Sequence, residues 1–167
     1  MNIDIINDKL ELENEQMKIG DKIPNFTLSK LENTVIKDVT LNNLENKIKI
    51  FSTFPSIDTG VCELQVKNFN QEFSNHEKFM LINVSADLPF AFSKWCAGEN
   101  IENLILLSDY KNHKFGKDFG INIKNVNLLY RTVFVTDKKN VLIYIQYAKK
   151  LSDSLDLNDL RDFLKKL

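Results

Sequence analysis

The sequence predicts an α/β protein with a central sheet flanked by helices, and three observations carry the prediction. The apolar run KIKIFSTF, Lys47 to Phe54, is followed by Cys62, Val66, Phe69 and Phe73, which lie on one face of a helix. A second apolar run, Phe79 to Ser85, comes next. Asp137-Lys138-Lys139-Asn140 is a hairpin signal between Thr132–Thr136 and Val141–Tyr147. The chain closes on Leu155–Leu164, where Leu157, Leu160 and Leu164 keep helical spacing. A strand–helix–strand unit, a hairpin and a final helix describe a sheet with helices packed on it.

The elements follow in order. Asn2–Ile6 and Lys9–Glu13 flank Asn7-Asp8, a plausible hairpin turn near the N-terminus. Gly20-Asp21 and Pro24 punctuate the approach to Asn25–Ser29, a short extended piece, and Val35–Leu41 alternates again. Lys47–Phe54 reads as a buried strand. The period then changes to helical through Phe73, and Phe79–Ser85 returns to strand. Leu88–Trp95 fits a second helix, stopping near Ala97-Gly98. Leu104–Leu107 is a short strand, and Asn112–Phe119 a short helix closed by Gly120.

Composition bounds the function. A chain of 167 residues that is 43% hydrophobic suits one domain, residues 1–167, with one core. The net charge of −1 gives no bulk attraction for nucleic acid or an anionic membrane surface. The opening MNIDIINDKLELEN lacks the basic region and apolar run of a secretory signal, and no apolar stretch is long enough to span a bilayer. A cytoplasmic location is the expectation. Thiols are kept reduced there, so two cysteines point to catalysis, redox chemistry or metal binding rather than a permanent staple.

The stretch FPSIDTGVC, Phe54 to Cys62, joins the buried strand to the first helix. Cys62 therefore falls in or near the first helical turn. Unpaired N–H groups and the positive end of the helix dipole favour an anion there, and a thiolate is the anion available. Thr59 sits about one turn earlier, where its hydroxyl can reach the sulfur or a bound oxygen. Pro55 supplies a rigid wall without a donor, and Asp58 or Thr59 can cap the helix. Each residue also has an ordinary reading. Cys62 shares a face with Val66, Phe69 and Phe73 and suits a core; Thr59 suits a cap; Pro55 suits a loop. Spacing alone leaves both readings open. The histidines, His76 and His113, have no metal-ligand spacing to a cysteine and read as surface residues, and there is no Gly-rich phosphate loop. Asp87 reads as the cap of the second helix. The twelve phenylalanines read mostly as core, with Phe90 and Phe92 candidates to line a site.

PSIDTGVC resembles the active-site loop of the bacterial thiol peroxidases, the atypical two-cysteine peroxiredoxins. VSADLPFAFSKWC, Val84 to Cys96, resembles that family's resolving-cysteine helix. IGDKIPNFTL, Ile19 to Leu28, resembles its early segment, and LLYRTVFVTD, Leu128 to Asp137, the strand with its active-site arginine. The interval from Cys62 to Cys96 agrees, and the resemblance covers essentially the whole chain.

The resemblance implies a thioredoxin-like fold: a central mixed sheet flanked by helices, with an N-terminal β-hairpin. It implies a peroxidase in which Cys62 is the peroxidatic and Cys96 the resolving cysteine, joined in turnover by a redox disulfide. Thr59 would hydrogen-bond the peroxide, Pro55 shield the site, and Arg131 hold the thiolate and polarise the peroxide. The substrates would be hydrogen peroxide and organic hydroperoxides, the reductant a thioredoxin-type dithiol, and the assembly a cytoplasmic homodimer with its contact near the active-site loop. No metal or organic cofactor is needed. Asn7-Asp8, Tyr130 and Trp95 depart from the usual residues and bear on pocket shape. Three rivals remain. One is a thiol switch that senses peroxide as a binding module. Another is a structural disulfide in an exported protein, against which the absent signal argues. The third is a cysteine hydrolase, which needs a histidine base that neither His76 nor His113 suggests.

Overall fold

The structure is a computed structural model and describes residues 10–167. The hairpin expected around Asn7-Asp8 lies mostly outside the described residues; of its second arm, Leu12 forms an antiparallel bridge with Ile123. Among the described residues the seven strands are β1 (Thr27–Glu32), β2 (Val35–Thr40), β3 (Ile48–Thr53), β4 (Phe79–Ser85), β5 (Leu106–Ser108), β6 (Thr132–Thr136) and β7 (Leu142–Tyr147). The helices are α1 (Gly60–Phe73), α2 (Pro89–Glu99), α3 (Lys114–Asp118) and α4 (Leu157–Leu164).

The strands form one mixed sheet in the order β2-β1-β5-β4-β3-β6-β7. β3, β4 and β5 run parallel. Parallel neighbours need crossovers, and α1 and α2 are those crossovers. β1–β2 and β6–β7 are antiparallel hairpins, and β6 closes antiparallel on β3. β3 is thus a central strand. Alternation along it explains the layers: Phe51 joins Phe115, Phe119 and Phe134 on the α3 face, while Ile50 joins Phe69, Phe73 and Leu160 under α1 and α4. Phe115 and Phe119 stack at 4.1 Å, and Phe119 meets Phe134 edge-on at 5.6 Å. Such contacts add about 0.5–1.5 kcal/mol each beyond their burial.

Most boundaries shift by one to three residues from expectation, and both ends of α2 do so for a visible reason. Gly98 does not end α2; the helix runs to Glu99 and is closed by Asn100, left-handed at φ 53°. Asparagine tolerates that conformation, so it replaces glycine as the stop. α2 starts at Pro89, whose fixed φ suits a first helical position. Among the described residues no helix is long and apolar enough to cross a membrane.

Candidate active site

The site lies where β3 delivers the chain into α1. After Thr53 the chain turns through buried Pro55 and Ile57 to exposed Thr59, and α1 begins at Gly60. Cys62 is the third helical residue, in the first turn as the spacing requires, with no exposed surface. Thr59 occupies the N-cap position but its side chain makes no capping bond. Its hydroxyl donates to Ser56 O at 3.2 Å, closing the turn, and so is spent neither on the helix end nor on the sulfur. Asp58 is exposed, and its backbone N–H donates to Ser56 Oγ at 3.3 Å.

Arg131 comes from the residue before β6, the strand beside β3, and is 2% exposed. Its Nη2 donates to Cys62 Sγ at 3.3 Å, its Nη1 to Gln65 Oε1 at 2.7 Å and its Nε to Leu151 O at 3.0 Å. Among the described residues no carboxylate pairs with this guanidinium. A buried charge served only by neutral acceptors is costly, and the sulfur is the one contact that can become an anion. The guanidinium is thus placed to meet negative charge that develops on the sulfur.

Cys96 lies on α2 and is half-buried; both cysteines are free thiols. Cys62 sits in an apolar cluster with Phe54, Ile57, Val66, Phe92 and Leu106, and Cys96 packs against the same cluster. Burial pushes the Cys96 thiol up from its ordinary value, which keeps it protonated at neutral pH. On its other side Cys96 lines a groove of about 610 Å³ between α2 and the β1–β2 hairpin. Of the two candidate aromatics, Phe92 joins the Cys62 cluster while Phe90 is exposed. His76 stacks on Phe79 at 4.4 Å, and His113 precedes α3.

The comparisons with known proteins give the family and the fold. The Redoxin family matches residues 18–164. The chain belongs to that family. It is 38% identical to a thiol peroxidase of Oceanobacillus iheyensis over 165 residues, covering 99% of each chain. It is 42% identical to a thiol peroxidase of Streptococcus sanguinis over 142 residues, 85% of each. A crystal structure of a peroxiredoxin-like protein from Aquifex aeolicus superposes with a TM-score of 0.85 at 26% identity, covering 94% of this chain and 91% of that one. The thioredoxin-like fold and the thiol peroxidase resemblance read from PSIDTGVC and SADLPFA are both borne out.

One residue of this redoxin site escaped the sequence reading, and another was misread. Gln65 is buried in α1 and donates its Nε2 to Ser52 Oγ at 2.8 Å and Thr53 O at 3.1 Å while its Oε1 receives Arg131. It fixes the guanidinium plane between β3 and α1. The signal was available: Gln65 falls three residues after Cys62 and four before Phe69, on the apolar face of the helix. Asp87 is not the cap of α2; Leu88 holds that position. The Asp87 carboxylate instead accepts Ser56 Oγ at 2.8 Å, Ile57 N at 2.7 Å and Ser85 Oγ at 2.6 Å. It ties the loop before α1 to the start of α2. Nothing local in the sequence announces a partner about thirty residues away.

Proposed function

We propose that the protein is a thiol peroxidase that reduces hydrogen peroxide and organic hydroperoxides through Cys62, with Cys96 as resolving cysteine and a thioredoxin-type dithiol as reductant. The observation that carries this reading is the 3.3 Å contact between Arg131 Nη2 and a Cys62 sulfur at the start of a helix. The Cys62 thiolate attacks one peroxide oxygen; the S–O bond forms, the O–O bond breaks, and the departing oxyanion takes a proton to leave as water or alcohol. Arg131 and the first-turn N–H groups stabilise charge on the oxygens, Thr59 orients them once its hydroxyl turns from Ser56 O, and Pro55 excludes water. Because Cys62 has no exposed surface, the peroxide enters by a small displacement at the exposed Thr59–Gly60 turn.

The Cys62 sulfenic acid then condenses with the Cys96 thiol, forming the disulfide and releasing water. Two thiols of the reductant restore both cysteines by exchange. Half-exposed Cys96, on its groove, is the sulfur an external thiolate reaches. Exposed Leu64, Leu88 and Phe90 flank the loop and support a homodimer contact there.

The test is peroxide consumption coupled to a thioredoxin system, comparing hydrogen peroxide with a bulky organic hydroperoxide, in the parent and Cys62→Ser. Turnover in the parent and none in the variant is expected, because a serine hydroxyl is un-ionised at neutral pH. Substantial turnover in Cys62→Ser would refute the assignment. Stoichiometric disulfide formation without turnover would favour a peroxide-sensing switch instead.

A further inference from the structure

Cys96 lies near the C-terminal end of α2, and its carbonyl closes that end by accepting the N–H groups of Asn100 and Ile101. Trp95 precedes it and Glu99 ends the helix. From α1, one side chain reaches across to this turn. Lys67 Nζ lies 2.6 Å from Glu99 Oε2, 2.9 Å from Glu63 Oε1 on its own helix, and 6.0 Å from the centre of the Trp95 ring. The buried Trp95 Nε1–H is turned toward the Glu63 carboxylate, which it helps Lys67 to hold below its ordinary value, so the ring, Glu63, Lys67 and Glu99 form one cluster across the two helices. Lys67 thus joins the helix that carries Cys62 to the turn that carries Cys96.

The two chemical steps make opposite demands on that junction. Oxidation of Cys62 uses the folded arrangement, with the sulfur against Arg131. Disulfide formation needs Cα atoms within about 7 Å and sulfurs in bonding contact. Both thiols are free in this fold and Cys62 Sγ is held by Arg131, so the approach of the two sulfurs falls to the Cys96 turn, which lies at a helix end. Whatever secures the Cys96 turn sets how long the sulfenic acid waits.

We propose that Lys67 is a positioning residue that latches the Cys96 turn to α1 and so sets the partition of the Cys62 sulfenic acid between two fates. In one, it condenses with the Cys96 thiol, forming the S–S bond and releasing water. In the other, a second peroxide oxidises it to sulfinic acid and is itself reduced to water or alcohol. This rests on the reading of Cys96 as the resolving cysteine. Lys67 touches no reacting atom. Its ion pairs suit a latch that opens at each turnover: the Lys67 and Glu99 side chains are 38% and 34% exposed, and pairs so placed are weak.

The experiment mixes full-length reduced protein rapidly with hydrogen peroxide, quenches with acid and an alkylating agent, and counts disulfide and sulfinic acid by mass spectrometry. The variants are Lys67→Met, which keeps most of the aliphatic stem, Glu99→Gln and Lys67→Arg. In Lys67→Met and Glu99→Gln the disulfide should form about two- to five-fold faster, and the sulfinic fraction per turnover should fall by a similar factor. The rate of the first oxidation should not change, and Lys67→Arg should restore the parent partition. Parent disulfide rates in folded Lys67→Met and Glu99→Gln would overturn the latch while leaving Cys96 as the resolving residue. A parent that forms no disulfide would overturn both. If Lys67→Met does not fold, Glu99→Gln decides alone.

Discussion

Replacing Arg131 with methionine removes a buried cation whose one ionisable contact is Cys62. At their 3.3 Å separation a unit positive charge and a thiolate attract by roughly 5 kcal/mol at an effective dielectric of about 20. If half of that survives the solvation regained in the variant, about 2.5 kcal/mol of stabilisation of an anionic sulfur is lost, a factor of up to about 70 in its reaction. The variant also leaves Gln65 Oε1 and Leu151 O without donors, at about 1–3 kcal/mol each, so it is less stable and its fold has to be verified by circular dichroism. The assay is alkylation of Cys62 by iodoacetamide in a Cys96→Ser background, at neutral pH and again at strongly alkaline pH. The neutral rate should collapse while the alkaline rate stays within a few-fold, which separates a lost charge from altered access. Peroxide reduction should fall further, because Arg131 is also lost to the transition state. Arg131→Lys keeps the charge without the fork and should be intermediate. A folded Arg131→Met protein alkylated at neutral pH as fast as its parent would refute a direct electrostatic role.

Cys96→Ser should react once with peroxide, fail to recycle through thioredoxin and accumulate sulfinic acid, visible as added oxygens by mass spectrometry. Trp95 adjoins Cys96, so parent fluorescence should change with disulfide formation rather than with the faster sulfenate step; an equal signal in Cys96→Ser would contradict that. Asp87→Ala removes the acceptor of Ser56 Oγ, Ile57 N and Ser85 Oγ and should cost about 2–4 kcal/mol in chemical denaturation, with a slower first oxidation because the loop loses its anchor. Parent-like values on both counts would deny the anchor. Asp109, 2% exposed, has its carboxyl pushed up to about 6 by burial, against two backbone N–H bonds from Phe115 and Gly116 that act the other way. The folded state therefore holds this proton longer than the unfolded one. Its contribution to stability is full below about pH 4 and is lost as pH rises through about 6, by about 2–3 kcal/mol. The difference in unfolding free energy between parent and Asp109→Asn, measured across that window, should show this slope; a flat difference would remove the claim.

The sequence alone determined most of the element order, because strand and helix periods are local properties of the chain. Phe79–Ser85 was read to its ends, and the Cys62–Val66–Phe69–Phe73 stripe put the cysteine in the first turn of α1 before any contact was known. Eight residues, PSIDTGVC, carried the family. Local reading failed where a polar side chain acts at long range. Asp87 looked like a cap because an acid ahead of a helix usually is one, yet its partners are in the loop before α1. Gln65 passed unnoticed as one more polar helical residue, yet it faces inward and holds Arg131. Lys67 carried no local signal, and only the packing of α2 beside α1 brings Glu99 to it. Arg131 was assigned by resemblance alone; only the antiparallel pairing of β6 with β3 brings it to a sulfur 69 residues earlier. The physical reason is the same in each case. Periodicity encodes which way a side chain faces, whereas a buried charge or amide is satisfied by whichever groups the packed sheet and helices present to it.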